Sequence, residues 1–459
     1  MKNTLTPQKR TLIFISLVVS CIAATIMSTA LTTALPAILK ELNISTATGQ
    51  WLTSGYSLVM AIILPLSAFL INRISTKKLY LFSLGIFLLG VVIAVFAGNF
   101  SVLMAARVLQ AIGNGILTAV AQVVLLCIYP VEKRGSIMGW YGLSISAAPV
   151  LAPTLTGFIV DSVGWRAIFA VTAVVITLST IFALLVFDNV LEISGQTFDT
   201  LSFILSSITF AGLTLGIGNY TTAAFFNWQV GGLILLGLIA GVIFTHRQLY
   251  LETPFLNVRV FASQDFTVSV LASILLYMVM MGSSVIMPIY VQILLGKSAT
   301  ISSLIVLPGS LAMAAVSPFA GQLFDKLGMR PLILVGSICL ILSNLGMFTL
   351  SAATPLWFPA FYNAVRSISI GCLMMPLVTW GTNSISSQTT ADGTALLTSL
   401  RTVGGAVGSA VFVGLMSSLA ADSSLAGQLQ GLNLTFLIMA IVSAVLFVLG
   451  LFFVKPKNT

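Results

Sequence analysis

Long stretches of this 459-residue chain contain no charged side chain at all. The stretch from Leu79 to Ala106 is one example, and the charged residues, only 7% of the chain, fall mostly in the short gaps between such stretches. A water-soluble domain needs a charged surface, whereas a lipid bilayer solvates an apolar one. Because a backbone in lipid must satisfy its own hydrogen bonds, each long apolar stretch predicts a transmembrane helix. The chain is therefore predicted to be an all-α polytopic membrane protein.

A bilayer-spanning helix needs about 20 mostly apolar residues. By this measure we predict fourteen spans, at 12–38, 47–71, 79–98, 101–128, 136–160, 165–187, 200–219, 228–246, 266–293, 301–324, 331–350, 356–380, 393–420 and 432–454. Gly and aromatic residues interrupt the seventh and eighth spans, and twelve spans remain if that pair does not form. We predict an N-terminal six-helix bundle in 1–190, a linker with the extra helix pair in 191–260, and a C-terminal six-helix bundle in 261–459.

The loops carry lysine and arginine unequally. On one side of the predicted membrane lie fourteen of them, and on the other side only three, Lys40, Arg166 and Lys297. Cytoplasmic loops retain positive charge, so this bias places both termini in the cytoplasm. The bias also explains the net charge of +9. Nucleic-acid binding would need the basic residues on one folded surface, which this spacing does not favour.

The chain lacks the motifs of several other functions. It contains no nucleotide-binding GxxxxGK[ST] motif, and its longest predicted loops, 188–199 and 247–265, are too short for a catalytic domain. The four cysteines lie in apolar spans at no metal-ligand spacing, so we expect packing residues and no metal or cofactor. His246, the only histidine, is expected at a helix end. A secondary transporter, which rocks two bundles around a central site, fits better than an enzyme. A receptor or scaffold would need an extramembrane partner domain.

A loop segment is repeated in the two predicted halves. The segment 321–330 reads GQLFDKLGMR, and its weaker counterpart at 68–77 reads AFLINRISTK. The later copy has glycines for close packing and a carboxylate that can accept hydrogen bonds, and both copies carry basic residues. Internal repeats of this kind are expected of transporters. We predict that these loops stabilise one state of a rocking cycle through Arg73, Asp325, Lys326 and Arg330.

Each loop copy is followed by an arginine inside an otherwise apolar span. A lone arginine in a bilayer is costly, so it normally faces a cavity or a partner. Polar residues three positions away share its helix face. The residues predicted to line a substrate cavity or to couple transport are Arg107, Gln110, Asn114, Asn363 and Arg366. The alternative is that these side chains bond to neighbouring helices and lock each bundle. Arg401 is expected near the cytoplasmic end of its helix.

Several motifs, in order, carry a resemblance to a known family. They are Ala34-Leu-Pro36, Gln50-Trp51-Leu-Thr-Ser-Gly-Tyr56, the 321–330 loop, Arg107-Val-Leu-Gln110-Ala-Ile-Gly113 and Ala152-Pro153-Thr-Leu-Thr-Gly157. Over nearly its whole length the chain resembles the major facilitator superfamily. It is most similar to the fourteen-helix drug:proton antiporters, including lincomycin-resistance-type exporters. The resemblance implies that Pro149, Pro153 and Gly157 belong to the fifth-helix antiporter motif.

The resemblance also implies a function. It implies a small, amphipathic, drug-like substrate exported from a bacterial-type cytoplasm by alternating access, with the proton gradient as the driving force and a monomer as the working unit. The group's first helix often carries an acidic residue where this chain has Met27, and the predicted spans contain no carboxylate. The proton would then be carried by a rim carboxylate, with Asp161 and Asp325 as the candidates, or by the substrate itself. Export of an anionic or zwitterionic metabolite or lipid is the alternative.

Overall fold

Fourteen long α-helices make up the computed structural model, which describes residues 5–191, 193, 198–219 and 226–456. Within those ranges the side chains of 32, 46, 47, 147, 149–151, 153, 154 and 299 are not described. The helices are α1 (Pro7–Leu42), α2 (Thr46–Arg73), α3 (Thr76–Val95), α4 (Phe100–Ile128), α5 (Val131–Val163), α6 (Arg166–Val186), α7 (Thr200–Gly218), α8 (Leu233–Tyr250), α9 (Gln264–Pro288), α10 (Ala299–Leu327), α11 (Met329–Met347), α12 (Trp357–Asn383), α13 (Thr390–Ser418) and α14 (Leu425–Phe453).

The structure contains the fourteen predicted helices, including the interrupted pair. Among the described residues, thirteen segments are long and apolar enough to cross a membrane by length and composition; α5, whose middle is only partly described, is not among them. Two helices contain a wider π-helical turn at one end. Trp228–Gly232 precedes α8, and Ile289–Leu294 continues α9. Such turns are uncommon and mark local departures from the regular α-helical hydrogen-bond pattern.

Capping side chains explain why several helices extend beyond the apolar runs. The Thr6 hydroxyl accepts a hydrogen bond from the Lys9 N–H at 3.3 Å, and the Asn99 side chain accepts one from Val102 at 2.9 Å. These bonds satisfy N–H groups that the first helical turn leaves free. At its other end α1 stops at Asn43, whose φ of 50° is left-handed. A purely apolar criterion misses these polar first and last turns.

The helices form two six-helix bundles, α1–α6 and α9–α14, with α7 and α8 as an extra pair. Within the pair, glycines allow close contact: a Cβ at Gly212 would lie 2.8 Å from the Leu233 carbonyl oxygen. An ion pair of 3.0 Å between Arg247 and Asp199 joins the two helices near one end. Through α7, the extra pair packs against α2 and α13. It therefore covers one flank of the junction between the bundles.

The buried apolar residues form two clusters. One belongs to the C-terminal bundle alone. The other fills the N-terminal bundle and continues into the start of α13 through Ala391 and Ala395, the start of α9 through Phe266, and the second half of α12 through Val378. We call the end that holds the α2–α3, α4–α5 and α10–α11 loops the basic end. In the described part of the chain, the two bundles share an apolar core towards this basic end.

Candidate functional site: the junction between the bundles

Asp325 joins the two bundles at the basic end. It lies near the end of α10, and its carboxylate accepts hydrogen bonds from the backbone N–H groups of Gly135 and Ser136, each at 2.7 Å. The Ser136 hydroxyl donates a third hydrogen bond at 2.5 Å. Both donors belong to α5 of the other bundle. One carboxylate thus forms three hydrogen bonds across the junction, and bonds to an ionised acceptor are stronger than neutral ones.

Glycines let α5 and α10 come into backbone contact beside Asp325. A Cβ added at Gly321 would collide with the Gly135 carbonyl oxygen, and one added at Gly139 would lie 2.6 Å from the Ser317 carbonyl oxygen. Arg134, which directly precedes Gly135 on α5, donates a hydrogen bond of 2.7 Å to the Asn383 side chain at the end of α12. The basic end is therefore closed in this conformation.

The other predicted loop residues lie at the same end. Arg73 is the last residue of α2 and is exposed, Lys326 is exposed, and Arg330 is half-buried in the first turn of α11. Their role in switching stays a prediction. The first loop copy has Asn72 where the second has Asp325, so the carboxylate contact described above has no exact equivalent in sequence.

Arg107 is completely buried within the N-terminal bundle. Its Nε donates to the Leu52 carbonyl oxygen of α2 at 3.1 Å, and one terminal nitrogen donates to Gln110 at 2.8 Å. Gln110 in turn donates to the Gly90 carbonyl oxygen of α3 at 3.1 Å. The guanidinium carbon also lies 4.1 Å from the centre of the Tyr56 ring. This network links three helices of one bundle. The other terminal nitrogen of Arg107, Nη2, is buried without a hydrogen-bond partner.

Asn114 extends the same polar network by one turn of α4. Its side-chain amide donates a hydrogen bond of 2.7 Å to the hydroxyl of Tyr56, the ring that lies under Arg107. The structure thus brings the three predicted polar residues of α4 together around α2. Whether they also contact substrate stays a prediction.

Arg366 repeats this arrangement in the C-terminal bundle. It is 3% exposed and donates to Asn363 at 2.5 Å, and Asn363 lies 3.4 Å from the Val306 carbonyl oxygen of α10. The Arg366 Nη1 is buried without a hydrogen-bond partner. The two halves thus use the same device, an arginine with an amide three residues away. The role of this pair in coupling also stays a prediction.

Arg401 occupies a different position from the one expected. It lies eleven residues into α13, about 16 Å from the start of the helix, and only 6% of it is exposed. Its guanidinium carbon lies 5.0 Å from the centre of the Tyr277 ring on α9. Its positive charge also acts on the Tyr141 hydroxyl of α5, in the opposite bundle. The expectation of a helix-end residue was wrong, because Arg401 lies in the junction between bundles.

Asp392 is the carboxylate that the sequence placed only at a rim. The structure puts it in the first turn of α13 and leaves it 4% exposed, which makes it the only buried acidic residue in the described part of the chain. The backbone N–H of Asn257, in the segment before α9, donates to it. None of the ion pairs among the described residues includes Asp392. By contrast, Asp161 is exposed on α5.

The predicted antiporter motif lies in the second half of α5. The helix runs through Pro149 and Pro153, but their side chains lie outside the described residues. A Cβ at Gly157 would meet no atom within 4 Å, so close packing does not explain this glycine. Met27 is at the position where the group often has an acidic residue, and it is fully buried. Its sulfur lies 3.7 Å from the Thr172 hydroxyl.

At the end opposite the basic end, Glu41 ties three segments of the N-terminal bundle together. It forms an ion pair with Arg166 and accepts a 2.6 Å hydrogen bond from the Trp165 indole. Arg166 also donates to the Ala97 carbonyl oxygen at 2.7 Å. The hydrogen bonds from Arg166 and then Trp165 lower the pKa of Glu41 below its usual value. This contact lies within one bundle.

Comparisons with known proteins agree with this architecture. The profile of the Major Facilitator Superfamily matches residues 13–409. The MFS-type transporter YcnB of Bacillus subtilis (strain 168) is 34% identical over 428 residues, which cover 92% of this chain and 90% of the relative. The lincomycin resistance protein LmrB of the same organism is 33% identical over 384 residues, which cover 83% of this chain and 81% of the relative.

Solved structures support the fold. The crystal structure of the human organic anion transporter MFSD10 superposes with a TM-score of 0.71 at 13% identity, over 97% of this chain and 100% of that protein. At this level of identity the likeness shows the fold alone. Together with the profile match and the apolar helices, it shows a multi-pass membrane protein built as a transporter.

Proposed function

This chain belongs to the Major Facilitator Superfamily, and we propose that it exports amphipathic, drug-like compounds from the cytoplasm by alternating access, driven by the proton gradient. The observation that carries the proposal is the closed junction at the basic end. Asp325 and the paired glycines Gly135 and Gly321 hold the bundles together there. Contacts of this kind can break and re-form as rigid bundles rock.

The orientation in the membrane supports the direction of transport, and the relatives support the class of substrate. The bias of lysine and arginine supports a cytoplasmic location for the basic end. In this orientation the conformation described above is closed on the cytoplasmic side. A relative that is 33% identical is named a lincomycin resistance protein, which supports a drug-like cargo for this chain. We therefore place this chain in a bacterial-type plasma membrane, with export as its direction.

For the proton, we propose Asp392 as the carrier. A carboxylate that is buried without a cation is costly to ionise, so the closed basic end favours its neutral, protonated form. Opening of the basic end exposes the start of α13 to cytoplasmic water, where the carboxylate can release the proton. Asp392 thereby links the protonation state to the conformation of the junction. This role does not need an acidic residue at Met27.

The test is transport into inverted membrane vesicles, whose interior corresponds to the outside of the cell. Vesicles containing this chain should accumulate radiolabelled lincomycin or an amphipathic dye when their interior is acidified, and a protonophore should abolish the accumulation. Asp392→Asn should uncouple accumulation from the gradient while exchange without a gradient persists. Asp161→Asn, which removes an exposed carboxylate, is the matched control.

Three outcomes contradict the proposal or one of its parts. Equal accumulation in vesicles with and without the chain overturns drug export. Accumulation that needs the chain but ignores the protonophore leaves export in place and overturns proton coupling. Gradient-driven accumulation that is unchanged in Asp392→Asn removes Asp392 as the proton carrier.

A further inference from the structure

The three buried arginines differ in how their hydrogen-bonding capacity is used. Arg107 and Arg366 donate to carbonyl or amide oxygens of their own bundles. For Arg401, both Nε and Nη1 are buried and have no hydrogen-bond partner. A buried guanidinium without an acceptor is unfavourable, since it has lost water and gained nothing in exchange. Arg401 is therefore the buried cation that is most available to a ligand.

Two threonines on the same helix face as Arg401 also have buried polar atoms without hydrogen-bond partners. Thr394, Thr398 and Arg401 are spaced by four and three residues, so their side chains line one face of α13. Both threonine hydroxyls are buried without a partner. This is unusual, because a hydroxyl in a helix normally donates to the carbonyl four residues earlier, as Thr402 does at 2.8 Å. The face thus presents unsatisfied donors along about two helical turns.

Residues from other helices complete a polar patch with apolar walls. The Tyr277 ring of α9 lies beside the guanidinium, and Tyr141 of α5 lies within its field from the opposite bundle. The Tyr141 hydroxyl donates to the Cys21 sulfur at 3.9 Å and also interacts with the Gln122 side chain of α4, whose oxygen is buried without a hydrogen-bond partner. Close to the same level, a Cβ at Gly405 would lie 2.9 Å from Met281 Cγ, so methionine and tyrosine line the apolar side.

Among the residues that the structure describes, none forms an ion pair with Arg401. Asp392 is on the same helix, but nine residues at about 100° each place it on the opposite face. The ion pairs in the described ranges involve Asp188, Glu41 and Asp199, all away from the junction. A guanidinium presents parallel N–H groups that match the two oxygens of a carboxylate. An incoming carboxylate would satisfy the charge and the unpaired donors together.

We propose that Arg401, with Thr394 and Thr398, forms a subsite between the bundles that binds the carboxylate group of an amphipathic substrate. The apolar body of that substrate lies against Tyr277 and Met281. The proposal rests on the proposed export function, and it narrows the preferred cargo to carboxylate-bearing amphiphiles. Two bundles contribute to the site, so its occupancy depends on how they are arranged.

The experiment measures binding by purified protein in nanodiscs of neutral phosphatidylcholine, which excludes anionic lipid as the bound species. The probes are 1-pyrenebutyrate and 1-pyrenebutanol, which share an apolar body and differ in the carboxylate; empty nanodiscs correct for partitioning. Wild-type protein should bind the carboxylate at least tenfold more tightly than the alcohol. Arg401→Gln should abolish this preference while changing affinity for the alcohol less than twofold. Arg401→Lys should restore the preference only in part.

Two further variants keep the test decisive. Thr398→Val preserves the size of the side chain and should reduce carboxylate binding at least threefold, even if Arg401→Gln misfolds. Lys297→Gln removes an exposed cation in the α9–α10 loop and should change neither affinity. Competition by sodium chloride, but not by sodium acetate, would point to a chloride site and would contradict the proposal.

Failure of the inference can be told apart from failure of the function. A preference for the carboxylate that survives in both Arg401→Gln and Thr398→Val overturns the subsite, even if the inverted vesicles still accumulate lincomycin. Equal loss of both probes in Arg401→Gln, with Thr398→Val unchanged, assigns Arg401 to helix packing and also overturns it. Absence of gradient-driven transport, with the probe preference intact, overturns the export function and leaves the subsite standing.

Discussion

The hydrogen bonds of Asp325 allow the strength of the cytoplasmic closure to be worked out and tested. Its carboxylate accepts from Gly135, from Ser136 N–H and from the Ser136 hydroxyl, all in the opposite bundle. Asp325→Asn keeps one oxygen acceptor but turns an amide NH₂ towards a backbone N–H. The closed state should therefore lose at least one hydrogen bond to a charged acceptor, and the open state should lose almost nothing.

A hydrogen bond to a charged group contributes about 1.5–3 kcal/mol. Because Asp325 is only half-buried, a loss near the lower part of this range, about 2 kcal/mol, is the better expectation. This corresponds to a shift of about 30-fold in the ratio of closed to open basic ends. A protein that is closed about 30 times more often than open would then divide its time about equally between the two states. Ser136→Ala removes only one donor and should shift the ratio about fivefold.

The assay is a distance measurement by double electron–electron resonance between spin labels at Lys78 and Lys326, which are both exposed at the basic end of different bundles. The four native cysteines are replaced first. Asp325→Asn should transfer population from the shorter to the longer distance, slow substrate turnover and leave substrate affinity nearly unchanged. Asp161→Asn is the control, because it changes the same chemical group at an exposed site on α5.

The reasoning fails if the distance distribution of Asp325→Asn matches that of wild type. It also fails if substrate affinity falls sharply while the turnover rate is preserved, since Asp325 would then be part of the binding site. A double variant with Ser136→Ala should show less than the sum of the two single effects, because both changes disrupt the same group of hydrogen bonds.

Three other predictions concern orientation, the N-terminal bundle and the outer contact. A cysteine in place of Lys326 should be protected from a membrane-impermeant thiol reagent added to intact cells and should react in inverted vesicles; labelling from outside would reverse the topology. Arg107→Ala should abolish transport and lower the thermal midpoint, because it removes the hydrogen bonds to the Leu52 carbonyl oxygen and the Gln110 side-chain oxygen, at a cost of about 1–3 kcal/mol. Arg107→Lys should recover part of the activity, and full activity in Arg107→Ala would make Arg107 a packing residue. The pKa of Glu41 is lower in the folded protein than in the unfolded chain. Its contact with Arg166 and Trp165 therefore stabilises the fold fully above the unfolded pKa, and this stabilisation is lost as the pH falls through the folded pKa. The thermal midpoint should fall more steeply on acidification in wild type than in Glu41→Gln.

The membrane-spanning architecture could be predicted from sequence because it depends on a local property. Twenty apolar residues in succession meet the length of a bilayer wherever they occur, so even the interrupted 200–219 and 228–246 segments form helices. The helix ends were less accurate. The span predicted at 136–160 is α5 from Val131 to Val163, because its first turns carry Glu132, Lys133 and Arg134 at the bilayer surface. The domain boundaries stay predictions.

The site was harder to predict because burial depends on tertiary packing. Asp392 starts a helix, and sequence alone suggests a solvated rim, but the segment before α9 folds over it. Arg401 has no nearby acidic residue in sequence to mark it as unusual. One local signal was available, because Thr394, Thr398 and Arg401 share a helix face. Three polar side chains along one face of an apolar span indicate that this face packs against protein or a polar cavity and not against lipid.

The comparison of the two halves separates the features that hold each bundle together from those that distinguish the bundles. The arginine–amide pairs Arg107–Gln110 and Arg366–Asn363 occur in both halves and bond inside their own bundle. Each unit must stay rigid while the units rock, so a repeated internal network suits that need. The features found in one half only are Asp325, Asp392 and Arg401, and all three lie where the bundles meet. An exporter needs asymmetry between its two faces to fix a direction, and we infer that these three residues of the C-terminal half provide it: one closes the cytoplasmic side, one carries the proton and one binds the charged end of the cargo.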